Sequence, residues 1–213
     1  MTKRCYIAGA GDFCDDMLPE KDDFIIAADG GFAALEKHGI TPDLVVGDFD
    51  SLGYEPAHPN ILQSPREKDD TDMMLAVKQG LERGFKAFTI NGGLGGRHDQ
   101  TLANIQILAY LAENGARGTL IGIDECITAV KDGEIEIAPN TAINGIISVI
   151  SHSDKSEGIT LKGLKYTLDN ATLSCSYPMG ISNEFIGSNA KISVKSGTLI
   201  VIYPKQAQVA DKE

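Results

Sequence analysis

Cysteine and histidine are scarce and scattered. The four cysteines, Cys5, Cys14, Cys126 and Cys175, form no CxxC pair, and the four histidines, His38, His58, His98 and His152, are equally dispersed. That spacing argues against a Cys/His zinc site, indicates no disulfide framework, and fits a reducing cytoplasm. Basic residues are also short. The 19 Lys plus Arg stand against 30 Asp plus Glu, a net charge of −11. Such a balance argues against a nucleic-acid surface. No apolar run approaches the length of a membrane span. The opening "MTKRCYIAGAGDF" has only a short apolar stretch, broken by Gly and Asp, so it reads as a first strand and not a signal peptide. No GxxxxGKS/T occurs, which excludes a Walker-type phosphate loop. No GxGxxG follows the first strand, so a dinucleotide fold is disfavoured.

What remains is an ordinary globular composition, with 42% hydrophobic and 23% charged residues over 213 positions. That length suits one large domain or two small ones. Through residue 124 the pattern alternates strand and helix. "RCYIAGA", "DFIIAAD", "PDLVVGDFD", "NILQSP", "KAFTINGG" and "RGTLIGID" read as strands. "GGFAALEKHGI", "TDMMLAVKQGLERG" and "DQTLANIQILAYLAENG" read as helices. The last carries Leu102, Ile105, Leu108 and Leu111 on one stripe, with Gly115 closing it. This alternation predicts an α/β domain over 1–124, a mostly parallel sheet with flanking helices. From 125 to 213 no helical stripe appears. "AVKDGEIEIA" and "KISVKSGTLIVIYP" carry hairpin signals at Asp132-Gly133 and Ser196-Gly197. Short strands at regular spacing predict an all-β antiparallel sandwich or barrel.

The carboxylates are placed where a buried strand has no use for them. In "VVGDFDSL" Asp48 and Asp50 end an apolar run. Alternate residues of a strand share a face, so the two would point one way, about 7 Å apart, with Phe49 opposite. Two like charges so placed call for a cation between them. Ligands of open α/β sheets bind beyond the carboxyl ends of strands. Asp29 of "AADGG" and Asn91 with the glycines of "INGGLGGRHD" lie at such ends. "KDDTD" opens a helix near Thr71, where the dipole favours Asp69, Asp70 and Asp72. Capping alone competes as an explanation there. "GGLGGRHDQ" is a glycine-rich loop running into a helix. Its backbone N–H groups can cradle phosphate, Arg97 can grip it with a planar fork, and Asp99 sits in the first turn.

"ADGG" (28–31), "GDFDS" (47–51), "KDDTD" (68–72) and "GGRHDQ" (95–100), in that order, together resemble the thiamine pyrophosphokinase family. "GISNEF" (180–185) looks like that family's thiamine-binding segment. The resemblance covers nearly the whole chain. It implies Mg²⁺-dependent transfer of pyrophosphate from ATP to the hydroxyethyl oxygen of thiamine, giving thiamine diphosphate and AMP, in a cytoplasmic homodimer. It assigns ATP to 1–124 and thiamine to 125–213. By motif, Asp48, Asp50 and Asp72 look like metal or phosphate-organising carboxylates, with Arg97 and Asp99 also in catalytic positions. Asp69, Thr71, Arg97, Asp99 and Gln100 match positions around ATP, and Ser182 and Asn183 match the thiamine segment. Asp29 and Gly30 are also assigned to cofactor binding, with Asp29 on the rim and its substrate left open. Asp99 or Asp72 would take the alcohol's proton. Some family members stack thiamine on tryptophan. This chain has none, which leaves Phe185 or Tyr177 for the aromatic face. The rival readings are a hydroxymethyl-pterin pyrophosphokinase, which would lack the all-β domain, and a non-catalytic nucleotide or thiamine sensor, which could lose the carboxylates. A hydrolase of nucleoside polyphosphates would use water in place of thiamine.

Overall fold

Strands without a polar side need cover on both faces, and strands of that kind form the centre of the first unit's sheet. The computed structural model describes residues 3–49, 53–54, 56–63, 69–139 and 145–209. The chain divides into two compact units, 1–123 and 124–213. The first runs β1 (Cys5–Ala8), β2 (Phe24–Ala28), α1 (Gly31–Lys37), β3 (Leu44–Gly47), β4 (Ile61–Gln63), α2 (Asp72–Glu82), β5 (Ala87–Asn91), α3 (His98–Glu113) and β6 (Arg117–Ile121). Its strands lie in the order β6-β5-β1-β2-β3-β4, every neighbouring pair parallel. Tyr6, Ala8, Ala27, Leu35, Val45 and Phe49 form one core cluster.

The strand order reverses between β1 and β5. From β1 the chain steps outward through β2, β3 and β4, then returns to the other side of β1 as β5. Such a reversal leaves a crevice beyond the carboxyl ends of the two central strands. Here the flanking segments close on each other through glycine. Gly9 N donates to Asn91 O at 2.7 Å, Gly11 N to Gly92 O at 2.7 Å, and Asp12 N to Leu94 O at 2.8 Å. Gly92 has φ +73°, and a Cβ there would collide with the Gly9 carbonyl oxygen. Gly96 also has positive φ, +60°, but open space around it. Gly92→Ala is therefore expected to lose about 3 kcal/mol or more in a urea melt, from backbone collision added to left-handed strain. Gly96→Ala meets the strain alone and should lose about 1–2 kcal/mol. Equal losses at the two positions would contradict this account.

Two local expectations change. β3 stops at Gly47, whose φ is +155°, and Phe49 follows at +61°. No strand therefore runs beneath Asp48, so the alternation argument that paired it with Asp50 does not apply. Phe49 does turn into the core, 5% exposed. Asp50 lies outside the described residues. On α3 the buried stripe is Asn104, Ile107, Leu108 and Leu111, while Leu102 is 64% exposed. Two apolar stripes overlap on this helix, and only the one containing Asn104 faces inward.

The second unit contains β7 (Glu125–Lys131), β8 (Glu134–Ala138), β9 (Ile146–Ser151), β10 (Lys155–Lys162), β11 (Leu168–Ser174), β12 (Asn183–Glu184), β13 (Ala190–Ser193), β14 (Thr198–Pro204) and β15 (Gln208–Val209). One antiparallel set is β12-β9-β14-β7, and the other is β11-β10-β13-β8-β15. The predicted hairpins are not hairpins. β7 pairs with β14, and β8 pairs with β13 and β15, so Asp132-Gly133 carries the chain from one set to the other. Ser196-Gly197 does the same between β13 and β14. The arms differ in burial: β8 buries alternate residues, Ile135 and Ile137, whereas β7 buries five in succession. Arms with such different patterns suit different layers. The two crossings brace each other: Asp132 N donates to Gly197 O at 3.1 Å, Gly197 N to Asp132 Oδ1 at 2.8 Å, and Val194 N to Gly133 O at 2.9 Å.

Candidate active site

A cleft of about 580 Å³ opens at the β1/β5 reversal. Gly9–Gly11 and Gly92–Gly96 form its glycine walls, and Asp29, Asp48, Thr71, Asp72, Arg97, Gln100 and Asn104 supply the polar groups. Each carboxylate arrives on a different element. Asp29 follows β2 in a left-handed conformation, φ +46°, and its N–H donates to Val46 O at 2.7 Å. That bond ties the end of β2 to the end of β3. Gly47 makes the approach possible, since a Cβ there would lie 3.1 Å from the Asp29 Cα. Asp48 follows at once. Asp72 begins α2, and Thr71 caps that helix by accepting from Met74 N at 3.1 Å.

The result is one acidic cluster. Asp29, Asp48 and Asp72 each offer an oxygen, all within 4.8 Å of one another. Oδ1 of Asp29 is buried and has no hydrogen-bond partner. Buried polar atoms are nearly always satisfied, so an unsatisfied carboxylate oxygen among like charges fits a bound cation. The donors are hard oxygens beside a glycine-lined loop, which suits Mg²⁺.

The glycine loop and α3 add the other sign. Arg97 precedes the helix, and its guanidinium donates Nε to Asp99 Oδ1 at 3.1 Å and Nη2 to Asp99 Oδ2. That pairing holds the Asp99 carboxyl below the usual carboxylate range and raises the Arg97 guanidinium. Both side chains are well exposed. Arg97 and Gln100 line the cleft, and Asp99 does not.

The predicted residues thus divide. Asp29, Asp48, Thr71, Asp72, Arg97 and Gln100 meet in the cleft. Gly30 sits at the head of α1, and Asp69 is exposed outside the lining. Asp70 pairs with Lys78 at 2.6 Å. Asn91 is fully buried and works as a clamp. Its Nδ2 donates to Tyr6 Oη, Cys14 O and Met17 O, while its Oδ1 accepts from Cys14 N. Gly9, Ala10, Gly11, Met73 and Asn104 were not singled out by the sequence. The signal for the first three was a Gly-Ala-Gly run directly after the first strand.

In the second unit, Ser182 is exposed with φ +56°, and its N–H donates to Ser148 Oγ at 3.1 Å. Asn183 is buried. It donates Nδ2 to Tyr166 O at 2.6 Å and accepts on Oδ1 from Tyr166 N and Glu184 N, both at 2.9 Å. Phe185 is 3% exposed and packs in the core, whereas Tyr177 is 67% exposed. Tyr166, also exposed, has the Lys165 ammonium 5.5 Å from its ring centre.

Comparison with known proteins agrees with both units. Residues 16–120 match the family model described as thiamin pyrophosphokinase, catalytic domain, and residues 134–199 match thiamin pyrophosphokinase, vitamin B1 binding domain. The thiamine pyrophosphokinase of Bacillus subtilis is 34% identical over 183 residues, 83% of this chain and 85% of that protein. Thiamin pyrophosphokinase 1 of Caenorhabditis elegans is 24% identical, over 86% of this chain and 79% of that protein. The crystal structure of the Bacillus subtilis enzyme superposes with a TM-score of 0.84 at 31% identity, over 95% of this chain and 99% of that one. A thiamin pyrophosphokinase family protein from Enterococcus faecalis gives 0.80 at 30%, over 99% and 100%. The catalytic-domain match spans the three clustered aspartates and the glycine loop, and with the second match and the full-length likeness it makes the chain a member of the thiamin pyrophosphokinase family.

Proposed function

We propose that this chain is a thiamine pyrophosphokinase that transfers pyrophosphate from ATP to thiamine and releases AMP. The observation that carries the reading is the convergence of three aspartates and a glycine-rich loop on one cleft, in a chain of this family. The thiamine oxygen bonds to the β-phosphorus as the bond from that phosphorus to the α–β bridging oxygen breaks. The hydroxyl proton leaves with the attack. Asp29, Asp48 and Asp72 would hold Mg²⁺, which supplies charge neutralisation for the triphosphate. Gly92–Gly96 present backbone to the phosphates, and Arg97 can leave Asp99 for a phosphate oxygen. Asp72 lines the cleft and Asp99 does not, which argues for Asp72 as the proton acceptor.

Thiamine is a flat cation, and the exposed Tyr177 or Tyr166 offers it an aromatic face with cation–π attraction. Asn183 then acts by fixing Tyr166. A homodimer with shared sites is supported by the exposed apolar side chains Ile146, Tyr177, Met179, Ile181 and Ile186 in the second unit. A reducing cytoplasm suits four cysteines that remain thiols. Among the described residues, no helix is long and apolar enough to cross a membrane.

The test is product identity. With ATP, Mg²⁺ and thiamine, mass spectrometry should find thiamine diphosphate and AMP in equal amounts, and EDTA should stop their formation. Thiamine monophosphate with ADP would reject pyrophosphoryl transfer, and thiamine left unchanged beside hydrolysed ATP would point to a hydrolase.

A further inference from the structure

Among the described residues, two buried side-chain atoms lack a hydrogen-bond partner, and both belong to residues lining the cleft: Asp29 Oδ1 and Asn104 Oδ1. The first belongs with the acidic cluster. The second is a neutral acceptor on α3, in a residue 6% exposed. Its orientation is fixed, because the Asn104 Nδ2 donates to the Gly93 carbonyl at 2.7 Å. The same side chain thus pins the glycine loop with one end and leaves an acceptor with the other.

Arg97, Gln100 and Asn104 line the cleft in sequence, spaced by three and four residues along one helix face. Asn104 lies about 10 Å along the axis from Arg97. Phosphates belong at the Arg97 end, beside the loop and the helix N-terminus. A phosphate oxygen at neutral pH offers no proton, so it cannot satisfy an amide oxygen. The nucleotide groups that can are an amine or a hydroxyl. The far end of a bound nucleotide carries both, on its base and on its ribose.

We infer that Asn104 is a specificity-determining residue whose Oδ1 accepts a hydrogen bond from the nucleoside part of the nucleotide, either the 6-amino group of adenine or a ribose hydroxyl. The inference rests on the pyrophosphokinase reading. The oxygen is shielded in the free chain, so the donor reaches it as the Gly92–Gly96 loop adjusts around the ligand. A site that leaves a buried acceptor unpaired discriminates against analogues lacking the donor.

The experiment compares nucleotides. Wild-type protein with Mg²⁺ and thiamine is first shown to convert ATP to AMP, which tests the underlying reading by itself. KM is then measured for ATP, for ITP, which lacks the amine, and for 2′-deoxy-ATP and 3′-deoxy-ATP. One of the analogues should show a KM about tenfold above that of ATP, the worth of one such hydrogen bond. In Asn104→Ala, the KM for ATP should rise to meet that of the same analogue, whose own value changes little. Which analogue responds identifies the donor. Wild-type protein that treats ATP and all three analogues alike overturns the inference, whether or not the variant folds. It is also overturned if Asn104→Ala raises every KM equally, since the residue then only holds Gly93, or if it raises the KM for thiamine alone.

Discussion

Asp72→Asn is expected to lower thiamine diphosphate formation by about a hundredfold or more, while the protein stays folded. The substitution keeps the size of the side chain and removes one charge from a cluster whose oxygens lie within 4.8 Å. Its effect on stability should depend on Mg²⁺. Without the ion, three carboxylates face one another. Removing one charge weakens that mutual repulsion, so in EDTA the variant should melt close to the wild type. With Mg²⁺ the wild type gains stability by binding, and the variant should gain much less. Wild-type turnover, or an unchanged Mg²⁺-dependent rise in melting temperature, would remove Asp72 from the metal site. Asp48→Asn should behave alike. Asp29→Asn tests whether the orphaned Oδ1 is a ligand, since an amide at that place still leaves a buried group but weakens its hold on a cation.

How far the sequence spoke depended on whether a signal was local. The parallel first unit was legible because its strands are continuous apolar runs separated by helical stripes, and each is readable within a dozen residues. Asp48 and Asp72 were legible as charges in places where a strand end or helix start draws attention. The strand under Asp48 was misjudged because Gly47 and Phe49 turn the chain through positive φ, which a β-rich run of letters does not announce. Asp29 was seen at the rim, but its place in the cluster depends on the Val46 bond and the bare Cα of Gly47, contacts that arise only when β2 and β3 pair. Asn104 is the single polar residue among the buried positions of α3, and nothing local marks it as part of a cleft. The two false hairpins share one cause. Asp-Gly and Ser-Gly specify a tight turn, and a tight turn serves equally to fold a strand back or to pass it to another sheet. Which occurs is decided by the burial of the arms against strands far away in sequence.

Mixing two inactive variants is expected to restore activity. The proposed dimer takes ATP on the first unit of one chain and thiamine on the second unit of the other, so the lesions must be placed in different units. Asp72→Asn disables the acidic cluster. Asn183→Ala removes three hydrogen bonds that hold Tyr166 and Glu184, and with them the shape of the thiamine segment. Asn183 is buried, so its loss costs about 1–3 kcal/mol, and folding of that variant is checked by circular dichroism before mixing. In a mixed dimer with shared sites, one site collects both lesions and the other collects neither. Random pairing of equal amounts makes half of the dimers mixed, each with one good site of two. Recovered turnover should therefore approach roughly one quarter of the wild-type value per chain, the signature of a two-fold dimer with composite sites. The exposed apolar residues of the second unit give a parallel check. Ile181→Asp with Ile186→Asp should shift the protein toward monomer in sedimentation and lower activity together. If subunit exchange is proven by mixed tagging and no turnover returns, each site lies within a single chain, and the exposed apolar side chains serve some purpose other than catalysis.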